Sequence, residues 1–309
     1  MREVLPILEW LPNYDKKDFA GDFTAGLTVA IMLIPQGIAY AMLAGLPPVM
    51  GLYASTIPLI IYALFGTSRH LGVGPIAVIS LLVLTGVSPL AQPGTAEYVS
   101  LVILLTLMVG VIQLAMGVFR LGFMVNFLSH AVISGFTSAS AIIIGFSQLK
   151  HLVGIPLESD NVFLILWETI QRIGEVEPIT LGIGIGSILI LVFFGKYFPK
   201  VPEQLVVVAL TILLTYFLDL HRLGVQIVGD VPGGLPGISL PFLNLNLGSI
   251  TALLPAALTI AFIGFVEAIA IGKSIAMKEK YKISSNQELI GLGMANAASS
   301  LNCSHRVRH

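Results

Sequence analysis

Apolar stretches of about twenty residues recur along this 309-residue chain, separated by short polar gaps. Each is long enough to cross a hydrocarbon core of roughly 30 Å as a helix. Helices are the required form, because lipid offers no partner to an open backbone N–H or C=O. The other membrane architecture, a β-barrel, needs strictly alternating segments of about ten residues. Uninterrupted runs such as 101–107 do not alternate, and the barrel is rejected. Charged residues make up only 11% of the chain, against the roughly 25% usual for soluble domains.

The expected spans are 19–43, 49–66, 73–87, 98–118, 123–148, 178–194, 204–218, 250–272 and 287–301, with 161–173 as a shorter helix on the membrane surface carrying Trp167, Glu168 and Arg172. Cytoplasmic loops retain Lys and Arg. With the N-terminus inside, Arg2, Lys16, Lys17, Arg69, Arg120, Lys196, Lys200, Lys273, Lys278, Lys280 and Lys282 all fall inside, and only Lys150, Arg172 and Arg222 fall outside. A cytoplasmic N-terminus follows. Residues 1–18 lack the basic start and apolar core of a cleavable signal, so the first span itself serves for insertion.

Several classes are excluded. A net charge of −1 and scattered histidines give no surface for nucleic acid. The single Cys303 permits no intramolecular disulfide and leaves no Cys/His cluster for a metal. No nucleophile triad, metal cluster or phosphate loop suggests an enzyme, and no cofactor is implied. Two spans carry helix-disturbing residues: Pro35 and Gly37 in the first, and Gly72, Gly74 and Pro75 at the start of the third. Either a kink or a functional break accounts for them.

Six segments, in order, resemble the sulfate permease family of anion transporters: IPQGIAYAMLAGLPPVMGLYAS (34–55), FGTSRHLGVGPIAVISL (65–81), FLSHAVISGFTSASAIIIGFSQLK (127–150), VGDVPGGLP (228–236), FVEAIAIGKSIA (265–276) and NQELIGLGMAN (286–296). A uracil or xanthine permease shares the implied fold but not the first two motifs. The resemblance implies an all-α polytopic membrane protein with a partial 7+7 inverted-repeat fold, core and gate domains, and short strands at broken helices. It places an anion between two facing half-helices, from the third and tenth segments. A helix N-terminus offers free N–H groups and about half a positive charge, so an anion is held without a charged side chain.

Carried over by position, Gln36 and Tyr40 line the anion pocket from one face of the first span, and Gly74, Pro75, Ile76 and Ala77 form the half-helix entrance. The alternative for Gln36 is a bond to a carbonyl freed by Pro35; for Tyr40 it is plain packing. Glu267 is singled out by chemistry as well, since an intramembrane carboxylate is costly. The resemblance gives it proton or sodium coupling; a structural hydrogen bond or a pair with Lys273 is the alternative. Ser129, His130, Thr137, Ser138 and Ser140 read as interhelical hydrogen bonds, Arg69 and His70 as cytoplasmic anchors, and Gly182 with Gly186 as a GxxxG helix contact.

The expected organisation is a cytoplasmic segment 1–18, a membrane domain 19–301 with about nine spans and the surface helix, and an aberrant tail 302–309. The family's tenth segment, later gate helices and STAS domain do not follow, so the chain alone is expected to transport poorly. The function implied is secondary active transport of an inorganic anion, foremost sulfate, coupled to H+ or Na+. A channel-like chloride or bicarbonate conductor or exchanger, or an inactive membrane fragment, is the alternative. Expected partners are the anion and the bilayer in a cell membrane, with a possible homodimer in the full-length form.

Overall fold

The computed structural model describes residues 5–127, 135, 138–139, 141–143, 145–146, 148–155, 162–198, 201, 203–229, 234 and 247–302. Ten helices are named here: α1 (Lys16–Leu43), α2 (Pro48–Ala54), α3 (Ile57–Phe65), α4 (Ala77–Val87), α5 (Ala96–Val118), α6 (Val162–Gln171), α7 (Pro178–Tyr197), α8 (Glu203–Phe217), α9 (Leu247–Lys278) and α10 (Ser285–Asn302). The described residues up to 127, with 234 and 247–302, form one compact unit; those from 135 to 229 form a second.

In the first unit, local chemistry sets the helix ends. The Asp15 carboxylate accepts from the Lys17 N–H at 3.2 Å to start α1, and the Thr95 hydroxyl accepts from the Tyr98 N–H at 3.2 Å to start α5. α1 ends where Gly45 adopts φ +72°, with the Leu46 N–H bonded to Ala41 O and the Gly45 N–H to Met42 O. This is a Schellman stop, and it turns the chain back into α2.

The helices pack around three apolar clusters. Val87, Tyr98, Leu105, Leu253 and Ala257 join α4, α5 and α9; Tyr62, Phe265, Ile269 and Leu289 join α3, α9 and α10; Val49, Met50, Tyr53 and Ile103 join α2 and α5. α10 lies so close to α5 that a Cβ on Gly110 would stand 2.7 Å from the Ala297 nitrogen, and one on Gly293 2.7 Å from the Leu114 nitrogen. In contrast, Phe19, Phe23, Leu27, Ile31 and Ile34 of α1 are all at least 40% exposed. Such an apolar face is stable only against lipid.

The second unit contains α6, α7 and α8, with α7 packed against α8. A turn at Leu149–Val153 ends at Gly154, φ +72°, and the Glu177 N–H bonds Val153 O to set the start of α7. α6 has ten residues and so spans about 15 Å, too short to cross a bilayer. Arg172 follows it, bonded to Glu168 at 3.4 Å and to Glu175 at 2.6 Å. α7 buries none of its residues, and Ile188, Leu189 and Val192 are exposed along it.

Four sequence expectations are corrected. Pro35 does not break α1, which runs unbroken through it; Gly37 instead permits contact with α2, where a Cβ would stand 2.9 Å from Gly51 O. The second span breaks after Ala54, because Pro58 has no N–H to bond the Ala54 carbonyl. Among the described residues Gly182 and Gly186 meet nothing within 4 Å, and Gly184 of α7 packs instead, against Leu152. No strand forms among the described residues; the backbone at Ile76 is extended (φ −129°, ψ 147°) without being part of a sheet. Part of the fifth expected span, with Ser129, His130, Thr137 and Ser140, and the tail from 303 lie outside the described residues.

Among the described residues, five helical segments are long and apolar enough to span: α1, α5, α7, α9, and α2 with α3 taken together.

Candidate functional site

α4 is a half-helix by length: eleven residues rise about 16 Å, roughly half of a hydrocarbon core. Pro75 holds the preceding residue away from the helical region, and the glycines at 72 and 74 favour extended chain. The helix therefore starts abruptly after Ile76, whose carbonyl accepts the first helical bond from the Ser80 N–H at 3.0 Å. No side chain caps this end. Its first-turn N–H groups have no intrahelical acceptor, and the helix dipole adds about half a positive charge there.

That end opens into a cavity of about 250 Å³. Tyr40 of α1 and Ala44 just past its end, Gly51 and Ala54 of α2, the segment 71–76, Thr106 and Gln113 of α5, Gly264 and Glu267 of α9, and Asn296 and Ser299 of α10 form its walls. Five of the seven expected site residues thus share one cavity: Tyr40, Gly74, Pro75, Ile76 and Glu267. Gln36 and Ala77 do not reach its surface. Gln36 sits one turn before Tyr40 on α1, beside the Gly37 contact with α2, and Ala77 is already inside the first turn of α4.

Two amides in the wall are paired: the Asn296 Nδ2 donates to Gln113 Oε1 at 2.8 Å, and Gln113 Nε2 donates to Ala261 O at 3.1 Å. Glu267 differs, since its Oε2 is buried without a hydrogen-bond partner among the described residues. The alternative pairing with Lys273 does not form, since neither residue is in an ion pair among the described residues. A buried, unpartnered carboxylate oxygen is costly to maintain. At the other end of the segment leading to α4, Arg69 lies over the Tyr281 ring at 5.7 Å and His70 Nδ1 is 3.2 Å from the Tyr281 hydroxyl.

Three residues of consequence escaped the sequence reading: Gln113, Asn296 and Glu288. The first two are uncharged and resemble ordinary interhelical amides. Glu288 stands at the second residue of its expected span, where an acid reads as interfacial; the structure buries it to 1% exposure.

A half-helix opening on a mostly apolar cavity that holds a buried carboxylate, on a scaffold of membrane-length helices, is the architecture of a polytopic helical membrane protein with an internal site of solute size. Residues 19–306 match the sulfate permease family, and the chain belongs to that family. It is 37% identical to sulfate transporter 4.1, chloroplastic, of Arabidopsis thaliana, over 96% of this chain and 44% of that protein. It is also 37% identical to human solute carrier family 26 member 6, over 94% of this chain and 41% of that one. Among solved structures, the murine solute carrier 26 family member A9 anion transporter in its inward-facing state superposes with a TM-score of 0.88 at 28% identity, covering 98% of this chain and 53% of that one. The transmembrane domain of the cyanobacterial bicarbonate transporter BicA shares the fold, with a TM-score of 0.82 at 24% identity, covering 94% of this chain and 74% of that one. The chain spans less than half the length of these two curated relatives. It is an integral, multi-pass membrane protein.

Proposed function

We propose that this chain carries the anion site of a secondary active transporter, with sulfate as the foremost substrate and H+ or Na+ as the coupling ion. The observation that carries the reading is the uncapped N-terminus of α4 opening into the same cavity as Tyr40 and Glu267. Free backbone amides attract a negatively charged solute without a fixed cation to retain it, which suits a carrier that must release its cargo. Sulfate enters from the names of the plant relatives.

Glu267 supplies the coupling. An ionised carboxylate in the wall repels the anion. A proton or a sodium ion at its unpartnered oxygen removes that repulsion, so each solute favours binding of the other, reciprocally. Tyr40 contributes its ring to the wall of the same cavity. The N-terminus faces the cytoplasm of a cell membrane, plasma or inner, and the full-length form assembles as a homodimer.

Calorimetric titration of sulfate into the purified chain tests this. Saturable binding is expected, and Gly74→Phe, which fills the half-helix entrance, should abolish it. A Gly74→Phe chain that binds sulfate as the parent does, or a parent that binds none, overturns the reading.

A further inference from the structure

Glu288 is buried in the first turn of α10, outside the cavity, and its carboxylate gathers four hydrogen bonds. Oε2 accepts from the Tyr62 hydroxyl at 2.5 Å; Oε1 accepts from the Thr67 N–H at 2.6 Å, the Thr67 hydroxyl at 2.6 Å and the Ser68 N–H at 3.0 Å. No ion pair reaches it among the described residues. An ionised carboxylate is acceptor-only, and here each donor comes from the end of α3 or the turn just beyond it. The same turn of α10 adds a second grip, because Gln287 Nε2 donates to Phe65 O at 2.8 Å. Gly291 lies so near that a Cβ there would stand 3.0 Å from the Gly66 nitrogen.

We infer that Glu288 is a positioning residue for the anion site: by clamping the turn at 67–68 it sets where the N-terminus of α4 stands in the cavity. The inference rests on the anion-site reading proposed above. Eight residues separate Ser68 from Ala77, and the Leu71 N–H bonded to Ser68 Oγ at 3.3 Å ties the start of that segment to the clamp. The other end of the lever is α10 itself. Leu292, Asn296 and Ser299 follow Glu288 at helical spacing on one face, and all three line the cavity. One helix therefore holds the entrance segment with its first turn and forms the opposite wall with its next three. A carboxylate placed only to fill space would not take two backbone N–H groups from the turn that delivers the half-helix.

The test compares Glu288→Ala, Glu288→Gln and Ile165→Ala, the last a buried change in the second compact unit, absent from the cavity lining, that serves as the control. Two readouts are needed. The first is sulfate affinity of the purified chain. The second is the labelling rate of Val73→Cys in a Cys303→Ser background, since Val73 packs partly buried against the Tyr62–Phe265 cluster. Glu288→Ala should weaken sulfate binding by about tenfold or more and accelerate labelling by roughly fivefold, the scale expected when a buried charged acceptor is removed. Glu288→Gln should stay within about threefold of the parent in both, because its amide oxygen still accepts from Thr67 and Ser68 while the Tyr62 hydroxyl turns to accept. Ile165→Ala should change neither. Where Glu288→Ala does not fold, Tyr62→Phe with Thr67→Val removes two of the four bonds and takes its place. Labelling no faster than in the control, or faster labelling with unchanged sulfate affinity, refutes the assignment. If the parent binds no sulfate, the anion reading falls, and the labelling comparison still decides the clamp.

Discussion

Replacing Gly110 with alanine tests whether α5 and α10 are in backbone contact. The added methyl would lie 2.7 Å from the Ala297 nitrogen, 2.9 Å from Gly293 O and 3.1 Å from the Ala297 Cα. All three are backbone atoms, so no side chain can swing aside and the helices must part. Overpacking of this kind costs about 1–3 kcal/mol, and rigid neighbours put this site toward the upper end. Alanine also gains roughly 1 kcal/mol over glycine in helix propensity. The net expectation is a loss of about 1–2 kcal/mol. Gly21→Ala in α1 isolates the propensity term, since a Cβ there meets nothing within 4 Å; it should be neutral or stabilised by up to about 1 kcal/mol. Denaturant unfolding of the purified chain in mild detergent gives both values. A Gly110→Ala chain as stable as Gly21→Ala would show that the two helices do not touch there.

Glu267→Gln should keep sulfate binding and lose the dependence of uptake on pH or sodium, measured in proteoliposomes; uptake that still follows the cation gradient refutes the coupling role. Tyr98→Phe removes the 2.6 Å bond from its hydroxyl to Ala44 O and leaves a buried carbonyl short of a partner, for a loss of about 1–3 kcal/mol in the same unfolding assay. The Tyr14 hydroxyl donates to Asp22 Oδ2 at 2.6 Å, and this bond, with burial and the Asp22 charge, pushes its pKa up to about 12. Folding thus favours the protonated phenol, an effect fully present below pH 10 and lost as pH rises toward 12. A Tyr14→Phe difference titration followed by ultraviolet absorbance should show one tyrosine ionising late, and its ionisation near pH 10 would contradict the bond.

The membrane character and the half-helix were legible because both are written in composition along the chain: apolar length sets the spans, and Gly72, Gly74 and Pro75 set the late start of α4. Glu267 was legible for a related reason, a carboxylate being conspicuous far inside an apolar run. What stayed hidden depends on partners distant in sequence. Gly37 reads as a helix breaker until Gly51 is found against it, and Gly182 with Gly186 reads as a contact motif until the space beside them proves open. Glu288 needed Tyr62 and Thr67, more than two hundred residues away, before its burial had a cause. Gln36 shows the limit of positional transfer: its neighbour one turn on faces the cavity, and it does not.

The attractive end of α4 is made of peptide units, and among the described residues no lysine or arginine contributes to the cavity wall. Apart from a change to proline, no substitution there removes an amide, because every other residue brings the same N–H. Selection is therefore free to exchange the side chains around it, altering the size and shape of cargo admitted while the preference for negative solutes persists unaltered.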